Sequence, residues 1–210
     1  MTLYGHCLNI ANCSFWSDMS GAIGILGGSF DPPHYGHIDL ASKAMEKYRL
    51  EKVYWVPAKV SPFKQGQTHT PADHRLQMAR LAVQAQPKFI VDECEIQRED
   101  VSYTIDTLRD FANRFPDKEL YLIIGGDAVT RFHEWKDVDQ FSRYVKIAVG
   151  SRPGAERVDI PGALFFDTGN LSICSTELRQ RLRNGEPSED LIPKNILDYI
   201  TENQLYLASD

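Results

Sequence analysis

The pattern of apolar positions changes character at residue 21. Residues 1–20 show neither a period of 2 nor one of 3.6, and they carry a single charge. Beyond them, short apolar runs alternate with longer segments whose apolar residues recur every three or four positions. These are the marks of buried strands and amphipathic helices. Gly21-Ala-Ile-Gly-Ile-Leu-Gly-Gly28 predicts a strand near 22–27, and a helix near 36–49 follows. A second strand is expected over about 52–57, then a polar loop with Pro57, Pro62, Gly66 and Pro71. Leu76, Ala79, Leu81, Ala82 and Val83 predict a helix near 72–85, followed by a strand near 88–93. Ile105, Leu108, Phe111, Ala112 and Phe115 share one face of a helix near 104–115. A strand at 119–124 ends at Gly125-Gly126, short helices fill 127–143, and a strand at 145–149 ends at Gly150. The last elements are a strand near 163–166, a helix at 175–184 stopped by Gly185, and a helix from Pro193, read as a first-turn residue, to about Asn203. Such alternation predicts βαβ units: an α/β fold with a mostly parallel sheet, helices on both faces, and ligands outside the carboxyl ends of the strands.

The same pattern divides the chain into an extension over 1–18, a core over 19–170 and a C-terminal helical part over 171–210. Met19, just ahead of the first strand, is expected to be the functional start, or 1–18 a dispensable extension. With 210 residues the chain is long enough to bury a core without disulfide or metal staples. Its four cysteines (Cys7, Cys13, Cys94 and Cys174) are too scattered for a disulfide scaffold and read as reduced thiols of a cytoplasmic protein. His6, Cys7 and Cys13 fit no zinc spacing. The longest uncharged run, Met1 to Ser17, is interrupted by His6, Asn9 and Asn12, and no Lys or Arg precedes Lys43. Neither a membrane span nor a secretory signal is expected. Lys and Arg number 23 against 29 Asp and Glu, a net charge of −6. That balance argues against sequence-independent nucleic-acid binding but permits a local anion site.

Two segments carry candidate chemistry. Gly27-Gly28-Ser29-Phe30-Asp31-Pro32-Pro33-His34-Tyr35-Gly36-His37 joins the first strand to the first helix. Its glycines let a ligand approach the backbone, and the N–H groups of the turn and helix start favour anions. His34 and His37, three apart, share a helical face and can donate to phosphate oxygens. The segment is neither a Walker A loop nor a GxGxxG fingerprint. Near the other end, Ile173-Cys174-Ser175-Thr176-Glu177-Leu178-Arg179 offers Ser175 as an N-cap, with hydroxyls and a guanidinium at one helix start.

The first segment resembles the nucleotidyltransferase superfamily signature GGT/SFDPxHxGH, and the second resembles its ISSTxxR signature, with Cys174 in place of the first serine. The stretch from about 21 to 205 further resembles the bacterial nicotinate-nucleotide adenylyltransferases. Ser102–Leu108 is similar to their SYTIDTL segment, Gly125-Gly126-Asp127 to GxD, His133-Glu134-Trp135 to HxW, and Ser151-Arg152-Pro153-Gly154 to SRPG. Pro57 through Lys64 is similar to their Pro-Pro-His-Lys loop, with Phe63 where His is common.

The resemblance implies a Rossmann-like fold and adenylyl transfer from ATP to nicotinate mononucleotide, with release of pyrophosphate and no covalent enzyme intermediate. It implies His34, His37 and Arg179 as catalytic groups. The implied ATP set is Gly27, Gly28, Ser29, Phe30, His34, His37, Asp127, Ser151, Arg152, Ser175, Thr176 and Arg179. The implied set for nicotinate mononucleotide is Ser29, Phe30, Lys64, Tyr103, Thr104 and Trp135. Mg²⁺ is expected to arrive on the ATP phosphates, with no protein metal ligand. ATP and the mononucleotide are the expected partners, nucleic acid and membrane are not, and homo-oligomer formation is left open. Read without the resemblance, Trp135 is core filler, Asp127 and Thr104 are helix caps, and Lys64 is a solvated lysine. Three competing functions stay open: a nicotinamide mononucleotide acceptor, a phosphopantetheine acceptor, and a catalytically silent nucleotide-binding protein.

Overall fold

The computed structural model describes residues 21–64, 70–99, 101–152, 159–169 and 173–207. The expected extension over 1–18, with His6, Cys7, Cys13 and the start at Met19, lies outside the described residues. In chain order the elements are β1 (Ala22–Gly28), α1 (Tyr35–Tyr48), β2 (Leu50–Pro57), a 3-10 turn (Pro62–Lys64), α2 (Ala72–Val83), β3 (Phe89–Val91), α3 (Cys94–Gln97) and α4 (Thr104–Arg114). There follow β4 (Leu120–Gly125), α5 (Gly126–Val129), 3-10 turns at Phe132–Glu134 and Val138–Arg143, β5 (Lys146–Ser151), β6 (Leu164–Asp167), α6 (Ser175–Arg183) and α7 (Lys194–Glu202).

All six strands pair in parallel, in the order β3-β2-β1-β4-β5-β6. The period of 2 along the central strands sorts their side chains onto two faces. Ile23 and Ile25, Tyr54 and Val56, and Leu122 and Ile124 pack under Ile105, Leu108 and Phe111 of α4. Leu26, Val53, Trp55, Tyr121 and Ile123 pack under α1 and α2, through Leu40 and Met78. Leu178, Ile196 and Ile200 of α6 and α7 join this second cluster, so the C-terminal helices rest on the same face as α1 and α2. Because both faces are covered, the strands read as continuous apolar runs. No helix among the described residues is long and apolar enough to cross a membrane.

Four local expectations are corrected, one of them the reading of Asp127 as a helix cap, since Gly125 caps α5 and Asp127 lies within it. Ser175 is the first residue of α6, and the N-cap is Cys174. Cys174 has the extended backbone of a cap, and its carbonyl accepts the first helical bond from the Leu178 N–H at 2.9 Å. The reading of Thr104 as a cap fails for the same reason, because Tyr103 holds that position. Pro193 likewise caps α7 rather than opening its first turn. Gly185 does stop α6, with a φ of +68° that a residue with a side chain adopts at a cost. The single turn α3 escaped the pattern because four residues carry too little periodicity to register.

Candidate active site

In this strand order the chain winds one way from β1 through β2 to β3 and the other way from β4 outward. The crevice outside the carboxyl ends of β1 and β4 is therefore open to a ligand. Two cavities meet there. The larger, about 590 Å³, runs from the β1–α1 turn towards the ends of β5 and β6. The smaller, about 290 Å³, runs towards the loop after β2 and the start of α4. Gly27, Gly28, Ser29, Gly125 and Ala128 line both. A third hollow of about 220 Å³ continues the smaller one outward, sharing Pro62, Phe63, Thr104 and Trp135 with it.

Of the segment Gly27 to His37, residues 27–30 with His34, Gly36 and His37 line the larger cleft. His34 is the N-cap of α1 and His37 lies in its first turn. The backbone N–H of His34 donates to Nδ1 of His37 at 3.3 Å. With Nδ1 accepting, the ring proton of His37 belongs on Nε2, the nitrogen that a phosphate oxygen would take as donor. His34 is 5% exposed and its Nδ1 is buried without a hydrogen-bond partner. Burial lowers its pKa to about 4, so at neutral pH it offers hydrogen bonding rather than charge. Phe30 lines the larger cleft and not the smaller one. Its ring stacks on Trp55 at 4.9 Å and meets the edge of His37 at 5.1 Å, so it serves as packing beneath the imidazole.

Of the other residues assigned to ATP, Ser151, Arg152 and Ser175 line the larger cleft. Ser175 Oγ donates to the Pro32 carbonyl at 3.4 Å, which brings the start of α6 against the signature turn. Thr176 and Arg179 are not among the lining residues. The Arg179 guanidinium instead donates to the Asp31 carbonyl at 2.8 Å and to the Thr176 hydroxyl at 3.2 Å. Asp127 is in the single turn α5, directly after the shared wall at Gly125; its side chain, and Pro153 and Gly154 of the SRPG-like loop, lie outside the described residues.

On the other side, Ser29, Thr104 and Trp135 line the smaller cavity, and Tyr103 lines its outward continuation. Lys64 closes the 3-10 turn after β2, and its side chain lies outside the described residues. Several lining residues were not anticipated from the sequence. Phe63 faces Trp135 at 6.5 Å between ring centroids, and the Arg131 guanidinium sits 4.3 Å over the Phe63 ring. Glu95, 6% exposed, accepts from the Thr107 hydroxyl at 2.6 Å, and burial raises its pKa. On the larger cleft, Asp39 takes the Gly169 N–H at 2.6 Å and ties α1 to the end of β6. Among the described residues, no group of three or more His, Cys, Asp and Glu side chains is placed to hold a metal ion.

The chain is similar to known proteins along most of its length. The cytidylyltransferase-like family model matches residues 25–181. A probable nicotinate-nucleotide adenylyltransferase of Opitutus terrae is 41% identical, covering 89% of this chain and 98% of its own. The nicotinate-nucleotide adenylyltransferase of Bacillus subtilis is 35% identical, covering 88% of this chain and 97% of its own. Among solved structures, the Plasmodium falciparum nicotinic acid mononucleotide adenylyltransferase complexed with NaAD superposes with a TM-score of 0.75. It covers 89% of this chain and 97% of its own at 22% identity, a likeness of fold. With most of its length matched by relatives of one kind, the chain belongs to the nicotinate-nucleotide adenylyltransferases of the cytidylyltransferase-like family.

Proposed function

We propose that this protein transfers the adenylyl group of ATP to nicotinate mononucleotide, giving the deamido form of NAD and pyrophosphate, a step of NAD biosynthesis. One observation carries the reading: two cavities, each of a size for a nucleotide, share a wall at Gly27, Gly28 and Ser29. Substrates lodged on either side of that wall would bring their phosphates together there.

An oxygen of the mononucleotide 5′-phosphate attacks the α-phosphorus of ATP in line. The new P–O bond forms as the α–β bridging bond breaks, and its electron pair leaves with pyrophosphate. No protein nucleophile is needed, so the chain contributes position and charge stabilisation. In this reading His34 and His37 donate to the phosphates of ATP, and Gly27, Gly28, Ser29 and Phe30 present backbone and hydroxyl groups at the junction. Ser151 and Arg152 border the nucleotide, and Asp127 takes ribose hydroxyls. Thr176 and Arg179 belong to the turn of α6 that begins at Ser175, on the edge of the cleft, and take the outer phosphates. ATP enters as its Mg²⁺ complex, the ion being part of the substrate.

The pyridine ring of the acceptor stacks on Trp135, and Lys64 is assigned to the same substrate by the resemblance alone. The carboxylate meets the backbone N–H groups of Tyr103 and Thr104 at the start of α4. Helix N–H groups favour a carboxylate over an uncharged amide, so the acid form is the preferred acceptor. The test is pyrophosphate release from ATP with nicotinate mononucleotide, nicotinamide mononucleotide or phosphopantetheine. The expected kcat/KM for the acid exceeds that for the amide by roughly tenfold or more, equivalent to about 1.4 kcal/mol. Equal values would defeat the acid-selective reading, and release with phosphopantetheine alone would replace the acceptor.

A further inference from the structure

Ser29 and Asp31, on either side of Phe30 in the signature turn, are held by side chains of distant elements. Arg75 of α2 is 4% exposed. Its guanidinium donates to four backbone carbonyls: Ser29 at 2.8 Å, Ala58 at 2.6 Å, Lys59 at 2.8 Å and Thr70 at 3.0 Å. The end of β1, the end of β2 and the entry to α2 are thereby tied at one point. Asp31 is 1% exposed, and its Oδ1 accepts the Tyr206 hydroxyl at 2.6 Å. Tyr206 stands beyond α7, near the end of the described chain.

Between these two grips Phe30 has a φ of +49°, in the left-handed region that a bulky residue enters only when its surroundings impose it. The buried Asp31 carboxylate attracts the Arg75 guanidinium, yet burying both charges is an expensive way to stabilise a fold, since apolar side chains would fill the space at lower cost. What the fork supplies is geometry, with several donors at fixed angles on one loop. The loop so fixed includes Ser29, whose side of the wall faces both cavities.

We propose that Arg75 and Tyr206 are positioning residues for the transfer step, holding Ser29 to Asp31 where the phosphates of the two nucleotides meet. This rests on the adenylyl-transfer reading. Neither residue lines either cavity, so each acts through the loop rather than on the substrates. Loss of either grip then lowers kcat and leaves binding of the bases and sugars intact.

Tyr206→Phe removes one hydroxyl and keeps the ring, and Arg75→Lys keeps the charge but not the fork. Both are compared with the unaltered protein in steady-state kinetics and in amide hydrogen exchange over residues 27–31. The expected result is a kcat lowered by about tenfold in Tyr206→Phe and by about 100-fold in Arg75→Lys, with KM for both substrates within about twofold. Exchange over 27–31 is expected to quicken in Tyr206→Phe while its Tm stays within a few degrees, so this variant carries the test should Arg75→Lys fail to fold. Faster exchange with unchanged kcat, or a lower kcat with unchanged exchange, overturns the proposal. If the unaltered protein releases no pyrophosphate with the mononucleotide, the activity reading fails, and unchanged exchange in Tyr206→Phe overturns the grip as well.

Discussion

The imidazoles of His34 and His37 lie 3.9 Å apart between ring centroids, and Gly36 is the residue that makes room for this arrangement. A Cβ at position 36 would lie 2.9 Å from Nδ1 and 3.0 Å from Cε1 of His34, inside contact distance. The His34 ring is buried but borders the larger cleft, so it can give way towards that cavity.

Gly36→Ala therefore sets two effects against each other. Alanine in a helix gains up to about 1 kcal/mol over glycine. Forcing a methyl into a packed site costs about 1–3 kcal/mol, relieved here by pushing His34 aside. The expected outcome is a protein of nearly unchanged Tm whose kcat/KM falls by roughly tenfold or more. Kinetics and calorimetry on one preparation decide it. Full activity would mean that the placement of His34 does not matter to the reaction.

His34 also makes stability depend on pH. Its folded pKa, lowered by burial to about 4, lies below the ordinary 6.5. Between these values the unfolded chain binds a proton that the native protein does not. Stability from this group is complete above about pH 6.5 and declines as pH falls towards 4. The loss amounts to about 2 kcal/mol at pH 5 and about 3 kcal/mol at the lower limit. Urea unfolding at pH 7.5 and pH 5 checks this, and His34→Gln is expected to flatten that part of the slope. An equal slope in the variant would assign the effect to other groups.

How much of this was legible in the sequence depends on where each residue finds its partner. β1, β2 and β4 announced themselves because a strand buried on both faces must be apolar throughout, and α4 did so through Ile105, Leu108 and Phe111. The glycines and histidines of the signature turn were legible because few residue types satisfy such a turn. Arg75 was not. It falls in an amphipathic helix where a charged residue reads as solvent-facing, and its partners are carbonyls, which every residue possesses. Tyr206 was hidden for a similar reason, since its bond to Asp31 spans 175 positions and leaves no periodic trace. Glu95 left no mark in the sequence pattern, because its burial arises only when α3 folds against the start of α4.

Trp135 is where a packing role and a binding role separate most cleanly. Its ring is half-buried against Phe132 at 5.5 Å and Phe141 at 6.0 Å, and its remaining surface lines both the smaller cavity and the outer hollow. A tryptophan that only filled the core would affect both substrates alike when removed, through a loosened fold. One that stacks on a flat heterocycle affects a single substrate. Alanine substitution of an aromatic stacked on a base typically costs about 1–3 kcal/mol, or about 5- to 150-fold in affinity. Trp135→Ala is therefore expected to raise KM for the mononucleotide by about tenfold or more and leave KM for ATP within about twofold, while Trp135→Phe recovers most of the loss. Initial rates with each substrate varied in turn provide the measurement. Parallel rises in both KM values, together with a lowered Tm, would return Trp135 to the role of core filler.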